Sequence, residues 1–328
     1  MKKIIAVICV LILTVSISCF ALVGCNKLKK GVIRLNEVTH SVFYAPLYAA
    51  INLGYFEEEG IVVELTNGGG ADKTMTAVLS GQADVGFCGP EAAVYVYNEG
   101  RKDYPKVFAQ LTQMDGSFVM GRQKEEFDWA TSFKGKEIIG GRRGGMPAMS
   151  LEYALKKNGY AIGTDVTINY DIQFDLITAA FEGGTGDYCT MFEPSASAFE
   201  LAGKGYILSA VGPASGNIPY TAFMATSDYL KNNEDTVKAF TRALKKGVDY
   251  VKEQTPEKIA EAIAPSFEGT SKEMLARAVK NYRDIGAFVE DLKLKESDFD
   301  RMQDVIISAG VYKDKVPYDK IVDLSYVE

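Results

Sequence analysis

From residue 31 onward, short β-branched and apolar runs alternate with longer stretches in which apolar residues recur every three or four positions. Val32-Ile33-Arg34-Leu35-Asn36-Glu37 predicts a strand, Ala45 to Ile51 the helix after it, and Gly54 the end of that helix. Ile61 to Leu65 predicts a second strand, Asp72 to Ser80 a helix and Ala83 to Phe87 a third strand; Glu91 to Glu99 and Val107 to Gln113 complete one unit. At Phe118 the pattern restarts. Glu137 to Gly140, Val166 to Tyr170 and Gly186 to Met191 predict strands, and Met149 to Asn158 a helix. After Tyr220 to Ala225 the spacing becomes helical at Asn233 to Gln254, Pro256 to Ala264, Ser271 to Tyr282 and Ser297 to Ala309, and these helices are expected to cover the first unit. The alternation predicts an α/β fold with mostly parallel sheets, with no internal repeat and no low-complexity stretch.

The first residues follow a different rule. Lys2 and Lys3 precede an apolar run from Ile4 to Val23, which ends Leu22-Val23-Gly24-Cys25. A spanning helix needs about 20 apolar residues, but Ser16, Ser18 and Cys19 dilute this run, and a secretory signal fits better. The segment resembles a bacterial lipoprotein signal, whose Cys after the small residue is acylated. That resemblance implies a leader over 1–24, lipidation at Cys25 and a solvated tether over 25–30. About 300 residues then remain, more than one core usually serves, so two lobes are expected. The chain carries 36 Lys+Arg against 43 Asp+Glu, net −7, and loss of Lys2 and Lys3 leaves 34 against 43, net −9. So acidic a chain is a poor partner for nucleic acid. Of the five cysteines, Cys88 and Cys189 would remain unlipidated after cleavage, one in each lobe. A bridge between them would pin a moving cleft, so two buried free thiols are expected.

Three segments carry a family resemblance: Thr39-His40-Ser41-Val42-Phe43-Tyr44-Ala45-Pro46-Leu47-Tyr48-Ala49-Ala50, then Leu53 to Ile61, then Leu79-Ser80-Gly81-Gln82-Ala83-Asp84-Val85-Gly86. They resemble the substrate-binding proteins of importers for sulfonates, taurine, nitrate and the thiamine pyrimidine precursor. Gly184 to Pro194 is similar to the same family's G-x-x-D-A … W-E-P segment, with Phe192 in place of the Trp. The resemblance runs from about Gly31 to the end. It implies a type II periplasmic-binding-protein fold: two α/β lobes, 31–117 with 221–328 and 118–220, joined by two hinge crossings around a ligand cleft. It also implies an ABC permease with a cytoplasmic ATPase as partners. A tethered receptor of this kind is expected to be a monomer.

In open parallel sheets ligands sit beyond the carboxyl ends of strands, and the loops there supply the candidate contacts. Thr39, His40, Ser41 and Phe43 follow the first strand and offer hydroxyls and a stacking face, although Thr39 or Ser41 could equally cap a helix. His40 is the only His, so a His-based metal cluster or a serine-type triad has no second candidate, and it is read as a polar wall. Phe87, Cys88 and Gly89 follow the third strand, where glycine lets backbone N–H groups approach a ligand. Arg142, Arg143, Gly144 and Gly145 join a strand to a helix start, where free N–H groups and the helix dipole favour an anion. Phe192 and Glu193 offer a ring and a carboxylate suited to an aminopyrimidine, or a structural pair across the hinge. Asn217 and Tyr220 precede the return crossing.

The reading is an extracytoplasmic binding lipoprotein that is not an enzyme and has no cofactor or metal. The arginines favour a small organic anion of sulfonate, taurine or nitrate type; Glu193 with Phe43, Phe87 and Phe192 favours the thiamine-precursor pyrimidine or a related heterocycle. Yeast-type enzymes that make that pyrimidine share the scaffold, but they carry a cysteine-rich iron-binding motif and histidines. This chain has Cys189 in the matching strand and one His overall.

Overall fold

The computed structural model describes residues 31–173 and 176–327, so the leader, Cys25 and the tether lie outside the described residues. Two five-stranded sheets form the frame. The first has the order β2-β1-β3-β10-β4, from β1 (Gly31–Glu37), β2 (Ile61–Asn67), β3 (Val85–Cys88), β4 (Pro105–Thr112) and β10 (Thr221–Thr226). The second has the order β7-β6-β8-β5-β9, from β5 (Phe118–Gly121), β6 (Lys136–Ile139), β7 (Val166–Asn169), β8 (Tyr188–Met191) and β9 (Tyr206–Ala210).

The sheets share one plan. Three strands run parallel in each, β2-β1-β3 and β7-β6-β8, and the next pairs antiparallel, β10 beside β3 and β5 beside β8. Each sheet is therefore mixed, with four strands running one way and one, β10 or β5, against them, because the strand that enters or re-enters a sheet at a crossing arrives from its opposite end. The central strands β3 and β8 are buried at every residue, whereas β9 is an edge strand with no fully buried position. That half-exposed pattern is why the sequence periodicity passes over β9.

The helices are α1 (Ala45–Asn52), α2 (Tyr55–Glu58), α3 (Ala71–Leu79), α4 (Glu91–Asn98), α5 (Met146–Lys157), α6 (Ile177–Glu182), α7 (Ser195–Leu201), α8 (Val211–Ser215), α9 (Ser227–Asn232), α10 (Glu234–Glu253), α11 (Pro256–Ile263), α12 (Lys272–Asp284), α13 (Glu296–Ser308) and α14 (Tyr318–Ile321). Hydroxyl caps set several starts: Thr255 accepts from Lys258 N–H ahead of Pro256, and Ser271 accepts from Met274 N–H. The carboxy-terminal helices were expected to cover the first sheet alone, and α10 and α11 do pack on α1. The next two also reach the second sheet's layer: Arg277 of α12 donates to Ser197 Oγ (3.0 Å), and Lys156 of α5 donates to Ser308 O at the end of α13 (2.6 Å). They sit beside the crossings, where both layers are within side-chain reach. Among the described residues no helix is long and apolar enough to cross a membrane.

Candidate functional site

The chain leaves the first sheet through 113–117 and returns through 211–220. The two crossings run side by side. Val211 N–H donates to Ser117 O (2.9 Å), Ile218 N–H to Gln113 O (2.9 Å) and Tyr220 N–H to Thr112 O (3.0 Å). Asp115 lies fully buried in this ribbon, and its Oδ1 accepts from Ser117 N–H (2.7 Å) and Ser117 Oγ (2.5 Å).

Its other oxygen, Oδ2, has no hydrogen-bond partner, and the same holds for three further buried atoms: Glu91 Oε2, Ser150 Oγ and Tyr220 OH. Asp103 Oδ1, in the turn before β4, is the remaining such atom among the described residues. Buried polar atoms normally find partners, so such a group needs a physical reason. These four come from different parts of the fold. Glu91 opens α4 after β3, Ser150 lies in the first half of α5, and Asp115 and Tyr220 belong to the two crossings. Tyr220 feels the charges of Asp115 and Glu91, and the hydroxyls of Tyr220 and Ser150 lie close enough to Asp115 to pull its pKa down as donors, although neither meets the geometry of a full hydrogen bond.

Burial dominates the chemistry here. It pushes the Glu91 carboxyl from 4.5 up to about 7, and that of Asp115 from 3.8 up to about 6 against the opposing pull of Ser117. The carboxyl of Glu91 occupies the space that a side chain at residue 89 would need, which is why glycine stands there. An aromatic wall adjoins the cluster. The ring of Phe43 contacts those of Phe192 (5.9 Å), Tyr220 (5.8 Å), Tyr282 (4.8 Å) and Tyr44 (5.8 Å), and Tyr44 packs edge-on against Phe87 (4.5 Å). Gly116 lets the crossing pass under Phe43, because a Cβ there would sit 2.7 Å from the ring.

The residues singled out from the sequence divide into three groups. Tyr220 belongs to the cluster, Phe43, Phe192 and Gly89 adjoin it, and Cys88 lies buried beside it. His40 and Ser41 belong to a neighbouring network, with Thr39 half-buried in the same loop: Glu37 accepts from Tyr48 OH (2.6 Å) and pairs with His40 Nδ1 (2.8 Å), His40 Nε2 meets Ser266 O (2.6 Å), and Ser41 caps Phe43 N–H (3.2 Å). Glu37 raises the pKa of His40 most strongly, through the hydrogen bond. Phe87 is a core ring, stacked on Phe223 at 4.3 Å.

The third group is exposed or already engaged. Arg142 and Arg143 are exposed, and the Arg143 guanidinium lies 3.9 Å over the Tyr170 ring. Gly144 and Gly145 lead into α5 beside them. Glu193 is buried and accepts from Ser197 N–H (3.1 Å), Ser197 Oγ (2.8 Å) and Asn281 Nδ2 (2.5 Å), which makes it the cap of α7 and a tie to α12. The backbone carbonyl of Asn217 accepts from Arg301 (3.1 Å). Cys88 and Cys189 are buried free thiols, and burial pushes both thiols well above their ordinary range. Sequence reasoning missed Tyr44, Glu91, Asp115 and Ser150. Glu91 and Tyr44 stood inside segments already singled out, while Asp115 carried only the signal of a lone acid beside glycine at a crossing.

A family model described as "NMT1/THI5 like" matches residues 42–259. YtlA of Bacillus subtilis (strain 168), whose assignment as a binding protein is itself provisional, is 40% identical over 313 residues, 94% of this chain and 93% of that protein. Among solved structures, the ligand-binding component of an ABC-type import system from Staphylococcus aureus, with zinc bound, superposes with a TM-score of 0.73 at 17% identity, over 90% of this chain and 98% of that one. The alkanesulfonate-binding protein SsuA from Xanthomonas axonopodis pv. citri, bound to MOPS, gives 0.71 at 17% identity over the same shares. The fold is that of the periplasmic binding proteins.

Proposed function

The chain belongs to the NMT1/THI5-like family, and from that premise we propose that it is the extracytoplasmic solute-binding protein of an ABC-type importer. In this reading it encloses a small organic ligand between its lobes and delivers it to a permease. The observation that carries the reading is the set of buried, unpartnered polar atoms at Glu91, Asp115, Ser150 and Tyr220, contributed by both sheet layers and both crossings. Lobe closure around a ligand brings such groups together and removes water from them. The aromatic wall of Phe43, Tyr44, Phe192 and Tyr220 suits a flat or apolar ligand body.

Capture is favoured over catalysis by the state of the thiols. Cys88 and Cys189 are held protonated by burial, which suits neither a nucleophile nor an iron ligand. The leader over 1–24 and a lipid on Cys25 would hold the protein at the outer face of a bacterial cell membrane, as a monomer presenting both lobes to the permease. Of the two ligand readings, the heterocycle is supported over the sulfonate-type anion, because aromatic rings adjoin the buried cluster and no Lys or Arg is buried with it among the described residues.

A thermal-shift screen of the full chain in detergent tests the role, since a ligand that binds the folded state raises the melting point by mass action. A selective rise with one small-molecule class is expected. No rise with any class, together with no small molecule released on denaturing the purified protein, overturns the capture reading. Replacing Cys25 by Ala tests the anchor: release from membranes is expected, and retention of the variant on membranes overturns lipid attachment.

A further inference from the structure

Among the described residues, the ionisable side chains buried to nine-tenths or more are Glu37, Glu91, Asp115, Glu152 and Glu193 with no Lys or Arg, apart from tyrosines and thiols. Three of the five acids have partners. Glu37 accepts from Tyr48 and pairs with His40, Glu152 accepts from Tyr170 OH (2.6 Å) and lies 3.7 Å from Lys156, and Glu193 caps α7. Glu91 and Asp115 differ, because each keeps one buried oxygen without a partner. The groups that interact with them are Tyr44, Cys88, Tyr95, Ser117, Ser150 and Tyr220, and none carries a positive charge; Arg142 acts on Tyr95 from an exposed position.

We propose that the enclosed site selects an organic cation bearing N–H donors, such as an ammonium, amidinium or protonated aminoheterocycle, with Glu91 and Asp115 as its two carboxylate partners. The proposal rests on the solute-capture reading and names the charge of the solute. An ionised carboxylate accepts only; Glu91 Oε2 has no side-chain donor from the protein, and Asp115 Oδ2 has only the neutral hydroxyls of Ser150 and Tyr220 within reach. A cation supplies them and removes the cost of an unpaired buried charge; a sulfonate or nitrate would add a third negative charge to the cluster. Tyr220 OH and Ser150 Oγ complete the polar ring, and the faces of Phe43, Tyr44 and Phe192 offer the aromatic surface that cations favour. Binding strengthens as pH rises, because Asp115 ionises near 6 and Glu91 near 7.

Calorimetric titration of the full chain in detergent at pH 8 tests the proposal, with benzamidinium, guanidinium, ethylammonium and choline chlorides set against sodium ethanesulfonate, sodium nitrate and uncharged 4-aminopyrimidine. An N–H-bearing cation is expected to bind, choline more weakly. Affinity for the cation is expected to fall by about 100-fold or more in the Glu91→Gln, Asp115→Asn double variant. If that variant fails to fold, the wild-type profile decides: cation affinity rising from pH 5.5 to 8 supports the proposal and a flat profile overturns it. Preferential binding of ethanesulfonate, nitrate or the uncharged pyrimidine overturns the cation assignment and leaves capture standing. Mass spectrometry of any molecule released from the purified protein covers ligands outside the panel: a cation supports the proposal, an anion or neutral molecule overturns it. No binding and no released molecule overturns both readings.

Discussion

Glu91 and Glu193 occupy equivalent places in the two halves of the molecule. Each follows the third parallel strand of its sheet, β3 or β8, and each stands at or just before the start of a helix in the company of a proline. Their surroundings differ. Glu193 is met by Ser197 and by Asn281 from α12, a helix that belongs to neither sheet, so its charge serves to bind α7 to the carboxy-terminal layer. Glu91 has no such neighbour and keeps a buried oxygen unpartnered under the crossings. A carboxylate at a helix start is therefore neither structural nor functional by position; the second helix that does or does not reach it decides.

Exchanging the roles of the two acids gives the largest expected effect. Glu193→Ala removes the acceptor of the buried Ser197 N–H and hydroxyl and of the half-buried Asn281 amide and is expected to lower stability by about 2–4 kcal/mol, whereas Glu91→Gln is expected to leave stability unchanged or raised at pH 8. Urea denaturation of both variants checks this, and equal losses would erase the contrast. Gly116→Ala presses on Phe43, the ring that touches Phe192 next to one acid and Tyr220 next to the other. A loss of about 1–3 kcal/mol is expected from overpacking, read from the same denaturation curves; a neutral result would mean that the ring can move aside.

A pH series sharpens the contrast further. The folded-state pKa values of Glu91 and Asp115 are raised, from 4.5 to about 7 and from 3.8 to about 6, so their contribution to stability is present below about pH 4 and lost as pH rises through 7. His40 is also raised, and its contribution is likewise lost toward higher pH. The ligand-free protein is expected to melt at a lower temperature at pH 8 than at pH 5.5, with a smaller difference in Glu91→Gln; a melting point that climbs over that range would contradict the burial of these acids. The smallest effect belongs to Arg142→Ala with Arg143→Ala: stability within about 0.5 kcal/mol of the parent and unchanged affinity for the identified ligand. A large loss of binding would return the anion reading to first place.

β1 and α10 were legible because buried residues recur along one face of each, and the edge strand β2 because of its β-branched run Ile61-Val62-Val63. β9 was not, since Tyr206-Ile207-Leu208-Ser209-Ala210 has neither a fully buried position nor such a run. At the candidate site, the aromatic and glycine positions Phe43, Gly89 and Tyr220 stand out from loop composition after strands. For the arginines, a glycine-rich loop before a helix reports where N–H groups point and not where long side chains go; those of Arg142 and Arg143 are exposed, with the Arg143 guanidinium over the Tyr170 ring. Asp115 was illegible for the opposite reason. Its burial arises from two crossings that are distant in sequence and adjacent in space.

Those crossings, tied to each other at Gln113–Ile218, Thr112–Tyr220 and Ser117–Val211, have a consequence for the order of events. A laddered pair of chains bends about one line and resists sliding, so in the proposed capture the halves would swing like a door on a piano hinge. Asp115 and Tyr220 lie on that line and would hold nearly the same spacing throughout, while Glu91 and Ser150 would travel with the two leaves. On this proposal the incoming solute would meet its first contacts at the hinge and its last at the leaves, and the final grip would register that the door has shut.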